Sequence, residues 1–423
     1  MMARLLYRLV LGLLLPYVAL HLWWRGRRQP AYRQHIGERF GSYVGSNVDA
    51  MNAAQPTIWL HAVSVGETRA AQPLIAALRA RYPDHRILLT HMTPTGRETS
   101  AELFGDSVLR AYLPYDYPAA VRRFLDHFRP VMGILLETEI WPNLVAICHE
   151  RTIPLLLVNA RLSEKSARRY ARFATLTSQA LRQLTGIAAQ ADEDAARLRA
   201  LGAPEVAVYG NLKFDLLPPP EQFALGGELR RMMTTRPALL AASTRVGEEA
   251  VILDALQAGH WGDNLLIIVP RHPQRFDEVA ALIEARRLRL QRRSARQPVA
   301  PETDVLLGDS MGEMFAYYAA CDVAFIGGSL LDFGGQNLIE ACAVGAPVLI
   351  GDSTYNFAVA AEQAVACGAA RRVKDAEDLL TQAAALLSDA KARAEMSRAG
   401  KDFAARHRGA TARTMALIAR AMR

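Results

Sequence analysis

Short apolar runs alternate with longer amphipathic stretches along most of this 423-residue chain. Such runs are typical of strands that are buried on both faces, and the stretches between them have the residue spacing of helices. Repeated strand–helix units predict an α/β fold with parallel sheets. We expect the strands at residues 57–62, 86–90, 131–137, 153–159, 186–190, 206–209, 238–242, 264–269, 304–307, 322–326 and 347–350.

Three consecutive prolines, Pro218 to Pro220, interrupt this pattern near the middle of the chain. Proline cannot continue a helix or a central strand, so we interpret residues 216–222 as a linker. The sequence therefore predicts two Rossmann-like domains, at residues 29–215 and 223–423, the second ending in alanine-rich helices. Ligands of such folds bind at the carboxyl ends of strands, and a cleft between the domains is the expected site.

An apolar segment at residues 9–24 carries no formal charge and runs into an arginine cluster at 25–28. We interpret residues 1–28 as an uncleaved membrane anchor, because the segment does not end in the small residues that a signal peptidase needs. It is short for a bilayer span of ~20 apolar residues and contains Pro16, so it either spans the membrane or lies in its interface. A buried N-terminal helix is the alternative.

With 51% hydrophobic residues, the chain can bury the cores of two domains. Its four cysteines lie far apart and form no Cys-x-x-Cys pair, which indicates reduced thiols in the cytoplasm rather than disulfides or a zinc site. The net charge of +8 and the isoelectric point near 9.4 suit an anionic partner. Because the arginines form no stripe with interleaved aromatic residues, we expect an anionic membrane surface and no nucleic acid.

Gly334 and Gly335 precede a predicted helix that runs into the strand at 347–350. Glycine allows close approach of the backbone, and the free amides at a helix N-terminus attract an anion. Glu340 lies one turn further along on the same face as Asn337, where its carboxylate could accept both hydroxyls of a ribose. The segment predicts a nucleotide site, and an ordinary loop with a helix cap is the alternative.

Acidic residues lie at the ends of two predicted strands in the first half of the chain. Glu67 follows a glycine turn after the first strand, where a general base facing the cleft would lie, and Glu137 and Glu139 come at the end of the strand at 131–137. Each could instead cap a helix and complement its dipole. Lys213 immediately precedes the linker, where it could reach ligands of both domains, with a plain surface lysine as the alternative.

The second half places cations and small turns at its strand ends. Arg271 and His272 follow the strand at 264–269, and another turn at 310–314 closes the next strand. A guanidinium offers a permanent, forked charge for phosphate or carboxylate. The sequence contains no His-x-x-x-His or cysteine cluster, so leaving-group charge would be met by Arg271, Lys213 and helix dipoles rather than by a metal. No Walker-type loop occurs either, which disfavours an ATPase.

Together these segments resemble the Kdo transferases of lipopolysaccharide assembly, which move 3-deoxy-D-manno-octulosonic acid (Kdo) from CMP-Kdo to a lipid A precursor. The resemblance runs from the N-terminal segment to about residue 357. Its motifs are HAVSVGE at 61–67, ETEIWPN at 137–143, GNLKFD at 210–215, PRHP at 270–273, and GGQN at 334–337 followed by Glu340. The family has the GT-B architecture, with the acceptor on the N-terminal domain and the nucleotide on the C-terminal one.

The resemblance implies an inverting glycosyltransferase that needs no cofactor, acts on lipid IVA and works at the cytoplasmic face of the inner membrane. By motif, Glu67 corresponds to the catalytic base, and Glu137 and Lys213 to residues that stabilise the transition state. Arg245 and Gln336 depart from the family pattern, since histidine is common at both positions. The implied CMP-binding residues are Arg271, His272, Gly312, Glu313, Met314, Asn337, Leu338, Ile339 and Glu340.

Two other functions are compatible with the pattern. A GT-B glycosyltransferase that uses a UDP-sugar on another lipid acceptor would have the same fold and the same glycine-opened helix. A membrane-anchored binding protein with an inactive site is the other, which the joint presence of Glu67, Lys213 and Arg271 disfavours. Whether CMP or UDP raises the melting temperature separates the two enzymes.

Overall fold

The computed structural model describes residues 2–43, 55–233, 235–259 and 261–423. The chain folds into two compact units. The first comprises the chain up to Leu216 together with Arg408–Arg423, and the second comprises Leu217–His407. Each unit is built on one sheet of parallel strands, so the predicted α/β class with two Rossmann-like domains is confirmed.

The first unit contains a seven-stranded parallel sheet in the order β3-β2-β1-β4-β5-β6-β7 among the described residues. Its chain order reverses between β1 and β4, which are hydrogen-bonded neighbours. The strands are β1 (Thr57–His61), β2 (Arg86–His91), β3 (Leu109–Tyr112), β4 (Pro130–Leu136), β5 (Leu155–Ala160), β6 (Gly186–Ala189) and β7 (Ala207–Val208).

Successive residues of these strands enter two separate cores, one on each face of the sheet. Trp59 packs edge-on against Phe124 at a centroid distance of 5.0 Å, whereas Ile58 and Leu60 belong to the opposite core. This alternation follows from the two-residue period of a strand. The helices before and between the strands are α1 (Met2–Arg28), α2 (Val65–Ala70), α3 (Gln72–Arg81), α4 (Pro94–Phe104), α5 (Pro118–Phe128), α6 (Pro142–Glu150), α7 (Glu164–Ala171), α8 (Ala174–Gln183) and α9 (Asp192–Ala200).

The second unit repeats the plan, with strand order β10-β11-β9-β8-β12-β13-β14. The strands are β8 (Ala238–Thr244), β9 (Leu265–Pro270), β10 (Leu290–Arg292), β11 (Val305–Leu307), β12 (Val323–Ile326), β13 (Val348–Ile350) and β14 (Ala370–Arg372). The helices are α10 (Pro220–Met232), α11 (Glu248–Ala258), α12 (Phe276–Ala285), α13 (Met314–Ala320), α14 (Leu338–Val344), α15 (Ala358–Ala366), α16 (Ala376–Ser388) and α17 (Ala390–Arg406). Chain order reverses here between β8 and β12.

Every strand that the apolar runs predict is present, with ends shifted by one or two residues. The structure adds β3, β10 and β14, which the pattern did not predict, and each of these lies at the edge of its sheet. An edge strand has a neighbour on one side only, so it buries less surface and its sequence keeps more polar residues. The segment LQR of β10 shows this, because all three of its residues are half-buried.

The last helix, α18 (Ala410–Ala421), corrects the predicted extent of the second domain. Residues 223–423 were expected to form one domain, but Arg408–Arg423 belong to the first unit. The carboxylate of Asp215 accepts hydrogen bonds from the backbone amides of Gly409 and Thr411, each at 2.6 Å. Ile418 is fully buried in the first unit's core. An alanine-rich helix carries no sign of which sheet it covers, so the pattern could not assign it.

Helix α1 runs without interruption through Pro16 and is long and apolar enough to cross a membrane. Most of its apolar side chains are exposed, although Leu22 is buried, and its polar residues at positions 4, 7 and 8 contact the protein. The exposed side includes Leu6, Leu13 and Leu20, at 64%, 82% and 63% exposure. A helix on the surface of a soluble domain has the opposite arrangement, so this face of α1 suits contact with an apolar environment.

Candidate active site

Two acidic loops of the first unit leave the sheet at the point where its strand order reverses. Glu67 lies in the loop and helix after β1, and Glu137 is the residue directly after β4. Because β1 and β4 are neighbours, their carboxyl ends lie side by side. Open α/β sheets bind their ligands at this position.

Glu67 is held by the N-terminus of the helix that carries it. Ser64 caps α2, its hydroxyl donates to Oε1 of Glu67 at 3.0 Å, and the amide of Val63 donates to Oε2 at 2.8 Å. Burial and the neighbouring charge of Glu137 raise the pKa of Glu67 to about 8. The carboxylate therefore does cap its helix, and it is also poised to exchange a proton near neutral pH.

Glu137 adopts a left-handed backbone conformation with φ of 58°, which is uncommon for a residue with a side chain. Its Oε1 lies 3.6 Å from the Nζ of Lys213, and the two side chains are 20% and 15% exposed. Lys213 sits on a single 3-10 turn at Leu212–Asp215, whose start is fixed by Asn211. Strained backbone of this kind is concentrated at functional sites.

A buried histidine and Glu139 lie beside this pair. The indole nitrogen of Trp141 donates to Oε2 of Glu139 at 2.7 Å, and Nε2 of His61 lies 4.0 Å from the same oxygen. Burial lowers the pKa of His61 to about 3, so this contact is not an ion pair. Burial also raises the pKa of Glu139. Glu67, Glu137 and Lys213 are therefore brought together within the first unit, as the sequence predicts.

The second unit gathers basic groups at the carboxyl ends of β8 and β9. Nε of Arg271 donates to Oε1 of Gln336 at 3.3 Å, and the guanidinium of Arg245 lies 2.9 Å from Nε2 of His272. Partial burial and the charges of Arg271, Arg245 and Arg275 lower the pKa of His272, which favours a neutral imidazole. The two residues that depart from the family pattern, Arg245 and Gln336, are thus the partners of the predicted anion-binding pair.

The glycine-opened helix forms as predicted, with Gly334 and Gly335 at φ of 80° and 72°. A side chain at Gly334 would meet Asn356 at 2.6 Å, so only glycine fits there. Asn337 caps α14 and donates to Glu340 at 3.0 Å. The side chains of Leu338 and Ile339 are buried in the core, so these two residues can offer a ligand only backbone groups.

The predicted turn at 312–314 follows β11, which is the neighbour of β9. Gly312 has φ of 78°, and Met314 is the first residue of α13. Glu313 accepts a hydrogen bond from Ser310 at 2.7 Å and lies 3.4 Å from the guanidinium of Arg293. The predicted nucleotide-binding residues therefore follow β9, β11 and β12 along one edge of the second sheet.

Glu248 is a residue that the sequence reasoning missed. It is fully buried, and its carboxylate accepts hydrogen bonds from the amides of Arg245, Gly328 and Leu330 at 2.8, 2.6 and 3.1 Å. It thereby ties together the loops after β8 and β12, where the chain order reverses. An acidic residue at the start of a helix was the only signal, and that signal is the same for an ordinary helix cap.

The described residues contain no group of three or more histidine, cysteine, aspartate or glutamate side chains that could hold a metal ion. The four cysteines are free thiols, and burial raises the pKa of Cys148 and Cys342 to about 12. Cys148 and Cys342 are therefore core residues, without the activated thiolate that a nucleophile or a metal ligand needs.

Comparison with known proteins identifies the family of this chain. Residues 34–216 match the family described as 3-deoxy-D-manno-octulosonic-acid transferase (kdotransferase), and residues 280–403 match glycosyl transferases group 1. The 3-deoxy-D-manno-octulosonic acid transferase of Bordetella pertussis is 45% identical over 98% of this chain and 98% of its own length. The enzyme of the same name from Haemophilus influenzae is 38% identical over 92% of each chain.

Solved structures share the fold at much lower identity. A glycosyltransferase from Rickettsia africae matches 87% of this chain and 99% of its own, with a TM-score of 0.60 and 14% identity. The UDP-GlcNAc 2-epimerase of Neisseria meningitidis matches 86% of this chain and 100% of its own, with a TM-score of 0.58 and 14% identity. These likenesses support the GT-B architecture and carry no information about the substrate.

Replacing Glu67 with glutamine should stabilise the protein increasingly as the pH rises. The pKa of Glu67 is raised from 4.5 to about 8 in the folded protein, so the folded state holds a proton that the unfolded state releases. The native protein therefore loses stability between those two values, and the Glu67→Gln variant does not. Thermal unfolding from about pH 5 to about pH 9 should show a melting-temperature difference that grows across this window.

The matched control for this measurement is Glu98→Gln, since Glu98 is exposed on α4. Its melting-temperature difference from the native protein should stay constant with pH. A constant difference for Glu67→Gln as well would show that the Glu67 carboxyl group is not perturbed.

Proposed function

The chain belongs to the 3-deoxy-D-manno-octulosonic acid (Kdo) transferase family and is a glycosyltransferase that transfers Kdo. We propose that it moves Kdo from CMP-Kdo to lipid IVA with inversion at the anomeric carbon. The observation that carries the proposed mechanism is the assembly of Glu67, Glu137 and Lys213 at the β1/β4 switch point. One carboxylate there is poised for proton transfer, and a cation lies beside the other.

Glu67 is the proposed general base. Its oxygens are oriented by Val63 and Ser64, and its raised pKa gives it a proton affinity suited to accepting a hydroxyl proton. The acceptor oxygen forms a bond to the anomeric carbon of Kdo, and its proton passes to Glu67. The bond from that carbon to the phosphate oxygen breaks, and CMP leaves with the electron pair. Attack opposite the leaving phosphate inverts the configuration.

Lys213 and Glu137 are proposed to stabilise the transition state. In CMP-Kdo, the anomeric carbon of Kdo carries a carboxylate and is bonded to an oxygen of the CMP phosphate. Two negative charges therefore lie close together while the bond from that carbon to the phosphate oxygen breaks. A cation that is 15% exposed is weakly screened by water, which strengthens its interaction with such charges. Glu137 holds the ammonium group of Lys213 in place at 3.6 Å.

The second unit is proposed to bind CMP. Arg271, with neutral His272 beside it, would meet the phosphate as a permanent cation. The turn at 312–314 and the segment from Asn337 to Glu340 would contact the nucleoside, with Glu340 on the ribose hydroxyls. In this arrangement, side chains and backbone amides supply all of the charge that the leaving phosphate needs, so the protein would require neither a metal nor a cofactor.

The proposed location is the cytoplasmic face of the inner membrane, with α1 lying in the membrane interface. Residues Arg4 to Leu11 are docked on the first unit, and the remaining residues 12–28 are fewer than the ~20 that a bilayer span needs. The exposed leucines would enter the lipid, and Trp23 and Trp24, followed by Arg25 and Arg27, suit an anionic surface. In this arrangement, a lipid acceptor would lie beside the first unit.

The experiment that tests this function uses the purified full-length protein with CMP-Kdo generated in place and tetraacylated lipid A precursor. Mass spectrometry of the lipid should show the added mass of Kdo, and the melting temperature should rise with CMP and not with UDP. Transfer from a UDP-sugar, with no product from CMP-Kdo, would overturn the proposal.

Glu67→Gln should lower the rate of transfer by roughly 10²–10⁴-fold, since the amide keeps the shape of the side chain and removes the proton acceptor. In the native enzyme the rate should rise with pH through about 8, as Glu67 loses its proton. Calorimetry should show unchanged CMP affinity, and Glu98→Gln should behave as the native protein. A Glu67→Gln enzyme with most of its activity would remove Glu67 from the mechanism.

Arg271→Ala should weaken both CMP binding and transfer, because the guanidinium meets the phosphate in the ground state and in the transition state. Loss of a charge-assisted hydrogen bond predicts a fall in CMP affinity of roughly ten-fold or more. The control is Arg289→Ala, which removes an exposed arginine paired with Asp304. Equal CMP affinity of the Arg271 variant and the control in calorimetry would refute the assignment.

Chelation of divalent cations should leave the rate of transfer unchanged when CMP-Kdo is supplied preformed. In the proposed mechanism, Arg271 and backbone amides of the second unit meet the charge of the leaving phosphate. A strict requirement for added Mg²⁺ or Mn²⁺ in this assay would contradict that account.

A further inference from the structure

Helix α1 is attached to the first unit by polar side chains on its inner face. The guanidinium of Arg4 lies 2.7 Å from the carboxylate of Glu150, and Nε of Arg8 donates to Oδ1 of Asn143 at 3.0 Å. Tyr7, between them, donates to the carboxylate of Asp116 at 3.1 Å. A helix that served only to hold the protein in lipid would need none of these hydrogen bonds.

Asp116 is the centre of this network and is 3% exposed. Its two carboxylate oxygens accept hydrogen bonds from the backbone amides of Asn143 and Leu144, at 2.9 and 2.8 Å. Its backbone oxygen accepts another from the side-chain amide of Asn143, at 2.7 Å. Asp116 therefore caps the first turn of α6, and Tyr7 completes the coordination of the capping carboxylate.

The capped turn of α6 is one end of the loop that carries Glu137. This loop begins where β4 ends, with the amide of Glu137 donating to the backbone oxygen of Val158 at 3.1 Å. It ends at Pro142, the first residue of α6, only five residues further along the chain. A loop this short cannot adjust independently of its ends. The position of the first turn of α6 therefore sets the position of Glu137 and Glu139.

We propose that Tyr7 and Arg8 are positioning residues for Kdo transfer, because they fix the first turn of α6 and thereby the loop that carries Glu137. The membrane helix is then part of the catalytic domain's structure as well as its anchor. This inference rests on the proposed role of Glu137, and it adds that docking of α1 is required for the geometry of that loop.

Burial makes the loss of these hydrogen bonds costly. Asn143 is fully buried and Asp116 nearly so, and a buried polar group that loses its partner pays the cost of its desolvation. Burial also raises the pKa of Asp116 to about 7, which shows how weakly water reaches this carboxyl group. Removing the guanidinium of Arg8 takes away the donor to Oδ1 of Asn143. Removing the hydroxyl of Tyr7 leaves Oδ2 of Asp116 with the amide of Asn143 alone as its donor, so the capping carboxylate is held less firmly.

The test compares Tyr7→Phe, and Tyr7→Phe combined with Arg8→Gln, with matched changes at exposed positions. The controls are Tyr17→Phe, at a tyrosine that is 63% exposed, and Tyr17→Phe combined with Arg289→Gln, at an exposed arginine of the second unit that is paired with Asp304. All four proteins keep the apolar surface of α1. Sedimentation with vesicles of mixed zwitterionic and anionic phospholipid should therefore recover equal amounts of each.

Two measurements should separate the inner-face variants from the controls. Hydrogen exchange of the amides of Asn143 and Leu144 should be at least ten-fold faster in the variants, because their acceptor is no longer fixed. The kcat for transfer should fall between roughly 10- and 100-fold with little change in the KM for CMP-Kdo, since small displacements of a catalytic group reduce turnover strongly. Arg8→Lys in place of Arg8→Gln restores a long, positively charged donor, so it should recover much of the activity.

Equal exchange rates in variants and controls would overturn the inference, whatever the activity. Faster exchange with unchanged kcat would also overturn it, because the α6 turn would then not control the site. Weaker vesicle binding, with full activity on acceptor dispersed in detergent, would leave α1 as an anchor only. The exchange measurement needs no catalysis, so its outcome does not depend on the proposed function. If Glu137 has no role in transfer, the Glu137→Gln enzyme will remain active.

Discussion

The positions of both groups of candidate site residues depend on one constraint of parallel sheets. The loops that follow the strands all leave the sheet at the same edge. Where the chain order reverses, the two neighbouring loops lead away in opposite directions and leave a space between them. In the first unit this space lies between β1 and β4, where Glu67 and Glu137 face each other. In the second unit it lies between β8 and β12, where Glu248 ties the loops together.

The charged groups at the site edge of the first sheet differ from those at the site edge of the second sheet. In the first unit, burial and the neighbouring charge of Glu137 make ionisation of Glu67 more costly, so Glu67 retains a proton to a higher pH. The second unit crowds guanidinium groups around His272, which keeps that imidazole neutral and leaves the positive charge on arginine. The first arrangement supports the proposed proton exchange, and the second supports the proposed binding of a permanent anion.

Much of this was predictable from the sequence, because apolar runs report burial directly. The central strands, the cluster of Glu67, Glu137 and Lys213, and the glycine-opened α14 all followed from local pattern and from family motifs. Three of the four edge strands, β3, β10 and β14, did not, since their residues are in part only half-buried or exposed. Asp116 and Glu248 were missed because a carboxylate that caps a distant backbone looks, in sequence, like any acidic residue near a helix start.

The departures at Arg245 and Gln336 show a different limit. A motif identifies a position but not its partners, and the structure pairs Arg245 with His272 and Gln336 with Arg271. Both substitutions therefore keep a polar contact to the predicted anion-binding pair. Arg245 also stacks on Phe333, with its guanidinium carbon 4.9 Å from the ring centre, which an imidazole would not reach in the same way.

The attachment of α18 to Asp215 has a consequence for the order in which the protein is made. The chain begins the first unit, builds the whole of the second, and only then supplies the helix that completes the first. During synthesis the surface that Ile418 covers stays open while residues 217–407 are translated. The second unit is therefore complete on the ribosome before the first. A nascent chain that stalls before α18 is made has a complete second unit and an incomplete first unit.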